Sequence, residues 1–128
     1  MEWDDRVVAH ATAIDKSITV GRQVVRVAGI MNVFVLLEYR KQRLATEVVR
    51  AALEEAERQG FDMGLLFCKS GLEPVYSGAG WKKITDRRIT RVVGRRELPL
   101  RENIILMYYP LKLQTLPPGD INLHGNEW

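Results

Sequence analysis

Residues 33–81 read VFVLLEYRKQRLATEVVRAALEEAERQGFDMGLLFCKSGLEPVYSGAGW. Within this stretch the apolar pattern changes period twice, and those changes dictate the fold class. Its first residues close a long run rich in β-branched side chains, Gln23 to Leu37, in which Gly29 and Asn32 are the weak points. Glycine inside a strand pattern marks a bulge or a close backbone approach. From Leu44 to Gln59 apolar residues recur at Leu44, Val48, Ala52 and Ala56, with Ala45, Val49 and Leu53 beside them. Glu47, Arg50, Glu54, Glu55, Glu57 and Arg58 lie opposite, which predicts an amphipathic helix of about four turns. Gly60 supplies its stop. Phe61 to Cys68 then reads as a short buried strand. Glu73 to Gly78 reads as a short helix beginning near Pro74 and closed by Gly80-Trp81.

Working outward, the run VVAHATAI from Val7 to Ile14 reads as a strand, Asp15 to Ser17 as a turn, and Ile18 to Val20 as its continuation up to a break at Gly21-Arg22. Trp81 to Ile84, Ile89 to Val93 and Ile104 to Tyr109 supply the last strands. Residues 115–128, with Pro117-Pro118-Gly119, read as an irregular tail. Strands mixed with two helices in this order predict one α/β (α+β) domain over residues 1–128, built on a mixed sheet.

Composition narrows the classes without choosing a function. The 128 residues suffice for one core. No apolar run approaches the roughly 20 residues that span a bilayer. Met1 leads into Glu2, Asp4 and Asp5, unlike the basic-then-apolar start of a secretory signal. A lone Cys68 cannot form an internal disulfide and is compatible with a reducing cytoplasm. Much of the net charge of +3 sits between Lys82 and Arg101. Such a basic ribbon can attract nucleic acid, but no aromatic residues interleave its arginines as a base-stacking platform requires, so nucleic acid is the minor reading.

The chemistry concentrates at Tyr39 to Thr46, YRKQRLAT, between the long strand and the amphipathic helix. A helix start presents unpaired backbone N–H groups at the positive end of the peptide dipoles, a natural seat for a phosphate or pyrophosphate. Arg40, Lys41 and Arg43 add three positive charges in the same turn.

Taken together, VFVLLEYR, this turn, the helix ending at Gly60, LLFC and VYSGAGW resemble the GNAT acetyltransferase superfamily. Its loop pattern, Gln/Arg-x-x-Gly-x-Gly/Ala, is met here by Arg40 and Ala45, with Arg43 in place of the first glycine. The resemblance covers about Val7 to Pro110. Within the superfamily, VVAHATAIDKSITVGRQVVRVAGI, YRKQRL and the Glu127-Trp128 ending are similar to aminoglycoside 2'-N-acetyltransferases and their relatives.

The resemblance implies a mostly antiparallel sheet whose central strands splay apart, with acetyl-CoA as cofactor and no metal. The backbone of Val33, Phe34 and Val35 would pair with pantetheine, and the amides of Arg40, Lys41, Gln42, Arg43, Leu44, Ala45 and Thr46 would meet pyrophosphate. Tyr76 would be the general acid that protonates the departing thiolate. The carboxylate that family members carry in the middle of the long strand falls on Met31. Glu73, His10 or the C-terminal carboxylate of Trp128 are the candidate replacements, and Met31, Glu73 and Trp128 are expected on the acceptor side.

The family's opening strand–helix–helix–strand portion has no counterpart before Val7. The acceptor wall is therefore absent, supplied by a second subunit, or replaced by the tail from Leu116 to Trp128, and a homodimer is expected. The activity implied is direct acyl transfer to a small amine. A degenerate CoA-binding or protein-interaction module is the alternative.

Overall fold

The computed structural model describes the backbone of residues 2–3, 6–7, 9–35 and 44–128, and the side chains of residues 11–31 and 46–128. A two-stranded ribbon, β1 (Glu2–Trp3) with β2 (Arg6–Val7), precedes the main sheet. The two long strands expected from the sequence are β3 (Ala9–Val20) and β4 (Gln23–Val35), paired antiparallel across a turn at Gly21-Arg22. The turn expected at Asp15 to Ser17 does not form. Asp15 and Ser17 stay in register opposite Ala28 and Arg26, and Arg26 Nη2 donates to Asp15 Oδ2 across the strands at 2.9 Å. Cross-strand pairing of opposite charges overrides the local turn preference of Asp-Lys-Ser.

The helix α1 (Leu44–Arg58) ends where Gly60 takes φ +80°. It leads into β5 (Met63–Lys69), a single turn of 3-10 helix at Ser70–Leu72, and α2 (Glu73–Gly78). Four strands follow: β6 (Lys82–Lys83), β7 (Ile89–Val93), β8 (Arg96–Pro99) and β9 (Ile104–Pro110). A last strand, β10 (Ile121–Asn122), lies in the stretch read from sequence as irregular. The sheet runs in the order β6-β9-β5-β4-β3-β10-β7-β8, with β4–β5 and β10–β7 parallel and the remaining pairs antiparallel.

Two apolar layers cover this sheet. On one face α1 lays Val49 and Leu53 against Ile30, Leu66, Cys68, Trp81 and Met107. On the other, Val25, Val27, Met63, Leu65 and Leu106 pack with Ile121 and Leu123, and Leu113, Leu116 and Trp128 close over them. The tail therefore builds the second layer itself. Polar contacts hold it there: Arg87 Nη1 donates to the carbonyls of Pro117 at 2.7 Å and Gly119 at 3.0 Å, and Ile121 N donates to Arg88 O at 2.8 Å. Gly21 and Gly119 bring two backbones together, since a Cβ on Gly119 would stand 2.5 Å from Gly21 Cα.

Candidate active site

The parallel ladder between β4 and β5 has rungs from Val27↔Met63 to Ile30↔Leu66 and then stops. Both strands continue, β4 to Val35 beside β3 and β5 to Lys69 beside β9. Their ends diverge, as the resemblance implied. Register explains the divergence. Between Thr12↔Met31 and His10↔Phe34, β3 advances two residues while β4 advances three, so one extra residue bulges β4 at Asn32 or Val33. A bulge bends and twists its strand, here away from β5. Beyond Ile30 the β5-facing backbone edge of β4 has no strand partner among the described residues. Val33, Phe34 and Val35 lie on that edge.

A cavity of about 510 Å³ occupies the divergence. Its floor is Ile30 and Met31 of β4 with Leu66, Phe67 and Cys68 of β5, and Tyr76 of α2 also lines it. Tyr76 is fixed by edge-on packing against Trp81 at a ring distance of 6.3 Å, and its hydroxyl has no hydrogen-bond partner among the described residues. Pro74 opens this helix, and the Tyr76 carbonyl accepts from Ala79 N and Trp81 N, which turns the chain sharply at its end. Burial pushes the Tyr76 hydroxyl above the usual tyrosine value, with Cys68 adding to the shift. Burial also raises the Cys68 thiol, with Glu73 adding to it. At neutral pH both groups hold their protons: Tyr76 is a donor, and Cys68 is a poor nucleophile.

Trp128 reaches the cavity from the opposite layer. Its indole sits directly over Gly29, where a Cβ would stand 2.7 Å from Trp128 Cε2. It meets Phe67 edge-on at 4.8 Å. The close approach that Gly29 signals in the sequence is thus to this ring. The side chain of Glu127 beside it is only 8% exposed, with Oε1 3.1 Å from Arg101 Nε.

Of the residues singled out in the sequence, Met31, Tyr76 and Trp128 converge on this cavity. Glu73 does not line it, and its carboxylate lies 3.9 Å from Lys83 Nζ. Thr46 lines a smaller pocket with Arg50, Tyr76 and Trp81, on the α1 side of the sheet. Leu44 and Ala45 open α1. Arg40, Lys41, Gln42 and Arg43, and the side chains of His10, Val33, Phe34 and Val35, lie outside the described residues. Sequence reading missed Lys69, Arg101 and Glu127 as parts of one wall. Nothing local separates Arg101 from the other arginines of its basic ribbon.

Residues 1–84 match the family model described as Acetyltransferase (GNAT) domain. A GCN5-related N-acetyltransferase from Kribbella flavida is 28% identical with a TM-score of 0.59, over 64% of this chain and 21% of that protein. A GNAT family acetyltransferase from Elizabethkingia anophelis, solved with acetyl-CoA bound, is 11% identical with a TM-score of 0.58, over 86% of this chain and 72% of that one. ElaA from Escherichia coli is 16% identical with a TM-score of 0.55, over 84% and 64%. The chain thus spans about a fifth of the Kribbella protein and under two thirds of ElaA. No curated protein matches it. The matched model takes in β3, β4, the bulge, α1, β5 and α2, the elements that form the strand divergence, and the chain belongs to the GNAT acetyltransferase domain family.

Proposed function

We propose that the chain is an N-acyltransferase that moves an acetyl group from acetyl-CoA to a small amine by direct transfer. The observation that carries this reading is the strand divergence: β4 and β5 part after Ile30↔Leu66, and Tyr76 lines the cavity between them. That opening fits a pantetheine arm, because the backbone of Val33, Phe34 and Val35 stands free of β5. The amides at the start of α1 and the basic residues before it, Arg40, Lys41 and Arg43, fit the pyrophosphate. Bound acetyl-CoA supplies an activated acyl thioester. Tyr76 holds a proton on Oη, available to a departing sulfur, and burial keeps that proton in place at neutral pH. The protonated, buried Cys68 gives no support to an acyl-cysteine route, which leaves attack by the amine itself.

Aminoglycosides are among the amines this reading admits, on the sequence likeness quoted above. Met31 supplies no base where the family has a carboxylate, which favours a second reading, a module that binds CoA without turnover. Calorimetry with acetyl-CoA and a thiol-release assay over an amine panel test both. Binding with release supports the enzyme, binding without release supports the module, and no binding removes both. Exposed apolar side chains at Val24, Leu72 and Val75 support the expected homodimer, and a monomer by light scattering at micromolar concentration overturns it. The free buried thiol of Cys68 suits a reducing cytoplasm. Among the described residues no helix is long and apolar enough to cross a membrane.

A further inference from the structure

Besides Trp128, the lining of the cavity carries Lys69, Arg101 and Glu127. Glu127 would attract a cationic amine, but its charge is balanced by ion pairs with two guanidinium groups, although Oε1 itself has no hydrogen-bond partner among the described residues. Its side chain is 8% exposed, with Oε1 3.1 Å from Arg101 Nε and 3.9 Å from Arg91 Nε, while Oε2 accepts from Arg101 N at 3.4 Å. Arg91 is itself fixed by donating to Pro99 O at 2.9 Å and to Asn126 Oδ1 at 3.1 Å. Glu127 thus positions Arg101 through the hydrogen bond to its backbone N and the ion pair on the Nε side of its guanidinium.

The terminal nitrogens of Arg101 remain. They have no hydrogen-bond partner among the described residues, and the side chain is 62% exposed at the cavity rim. Lys69, on the last residue of β5, has no ion-pair partner among the described residues. The lining carries two cations against one neutralised carboxylate. The remaining wall is apolar, from Met31, Phe67, Leu72, Ile104 and the Trp128 ring. An arginine whose Nε is tethered and whose fork is free is built to receive a carboxylate.

We propose that the acceptor is an amine that also carries a carboxylate and an apolar body, its carboxylate held by Arg101 and Lys69 and its body against Trp128 and Phe67. This rests on the acyltransferase reading for the amine's fate. The anion site itself does not depend on that reading. A polycation such as an aminoglycoside meets the wrong sign of charge here.

Two arms test it. In thiol-release assays with acetyl-CoA, phenylalanine should have a KM about five- to tenfold below those of phenylalaninamide and phenethylamine, with kanamycin poorer still. Arg101→Gln should raise the KM for phenylalanine by a similar factor and leave the affinity for acetyl-CoA unchanged. Equal use of the acid and its amide overturns the proposal. So does weakened acetyl-CoA binding in Arg101→Gln, which would assign the cations to the phosphates of the cofactor.

The second arm needs no turnover. N-acetylphenylalanine and N-acetylphenylalaninamide are titrated against the full chain, following tryptophan fluorescence. Tighter binding of the acid, lost in both Arg101→Gln and Lys69→Gln, supports the site even if acetyl-CoA fails to bind and the acyltransferase reading falls. Indistinguishable affinities of acid and amide overturn it.

Discussion

At the scale of single residues, the site turns on a tyrosine that keeps its proton and a glycine that makes room for a ring. Burial disfavours the Tyr76 phenolate, so its folded value lies above the ordinary 10.0. As the proposed general acid, Tyr76 would keep its proton across the neutral and mildly alkaline range, and turnover limited by it should fall as pH climbs past its raised value. The same shift makes the folded state bind the proton more tightly. Its contribution to stability is complete below about pH 10 and is lost as pH rises through the folded value. Tyr76→Phe should lower the rate of thiol release by about 100-fold with acetyl-CoA affinity retained. A loss under threefold would remove the tyrosine from the role of acid. Gly29 is the second case. A methyl group there would stand 2.7 Å from the Trp128 indole, whose buried Nε1 has no partner among the described residues. Gly29→Ala should therefore expel the ring from its seat, shifting tryptophan emission to the red and weakening any ligand that uses the Trp128 side. An unchanged spectrum would mean that the ring does not rest on Gly29.

At the scale of elements, β4 shows how one extra residue creates a site. The bulge at Asn32 or Val33 ends the pairing with β5 without ending the strand, so the sheet opens while β3 keeps β4 in place. Asn32, a weak point of the strand pattern in the sequence, lies at this bulge. The turn at Gly21 works differently, because the tail packs backbone to backbone against it. Gly119 has φ +114°, and a Cβ there would meet Gly21 Cα at 2.5 Å and Gly21 N at 2.8 Å. Gly119→Ala should cost about 2–4 kcal/mol in urea unfolding, through backbone strain and lost docking of the tail. Gly71→Ala is the matched control, with nothing within 4 Å of the added atom, and should stay within about 0.5 kcal/mol. Similar costs at the two positions would show that the tail contact is incidental.

At the scale of the molecule, the tail is a structural layer. Ile121 is 1% exposed and lies between β3 and β7, with Leu123 beside it in the same core. Truncating a fully buried isoleucine removes apolar burial and leaves a cavity, so Ile121→Ala should cost about 2–4 kcal/mol. It should also loosen the Trp128 side of the site, because β10 leads directly into Glu127 and Trp128. A cost below about 0.5 kcal/mol would return the tail to the status of an irregular extension. Part of the basic ribbon from Lys82 to Arg101 has the same purpose. Arg87 binds the tail carbonyls of Pro117 and Gly119, and Arg91 donates to Pro99 O and Asn126 Oδ1, which leaves these two arginines less available to nucleic acid than the charge of the ribbon suggests.

What the sequence determined by itself is what local periodicity encodes. The spacing of Leu44, Val48, Ala52 and Ala56 and the stop at Gly60 specify a helix, and the runs from Gln23 to Leu37 and from Phe61 to Cys68 specify a long strand and a short one. The short helix that carries Tyr76 is legible because Pro74 opens it and Gly80-Trp81 closes it, whereas the role expected of Tyr76 comes from the family resemblance. Tertiary structure alone decided the rest. Ile121–Asn122 is too short to carry a period, and becomes a strand only because β3 and β7 leave a slot between them. Lys69, Arg101 and Glu127 line one cavity because the end of β5, the loop between β8 and β9, and the tail meet there. Charge pairing over such separations follows from burial in the folded chain, and no short window of residues records it.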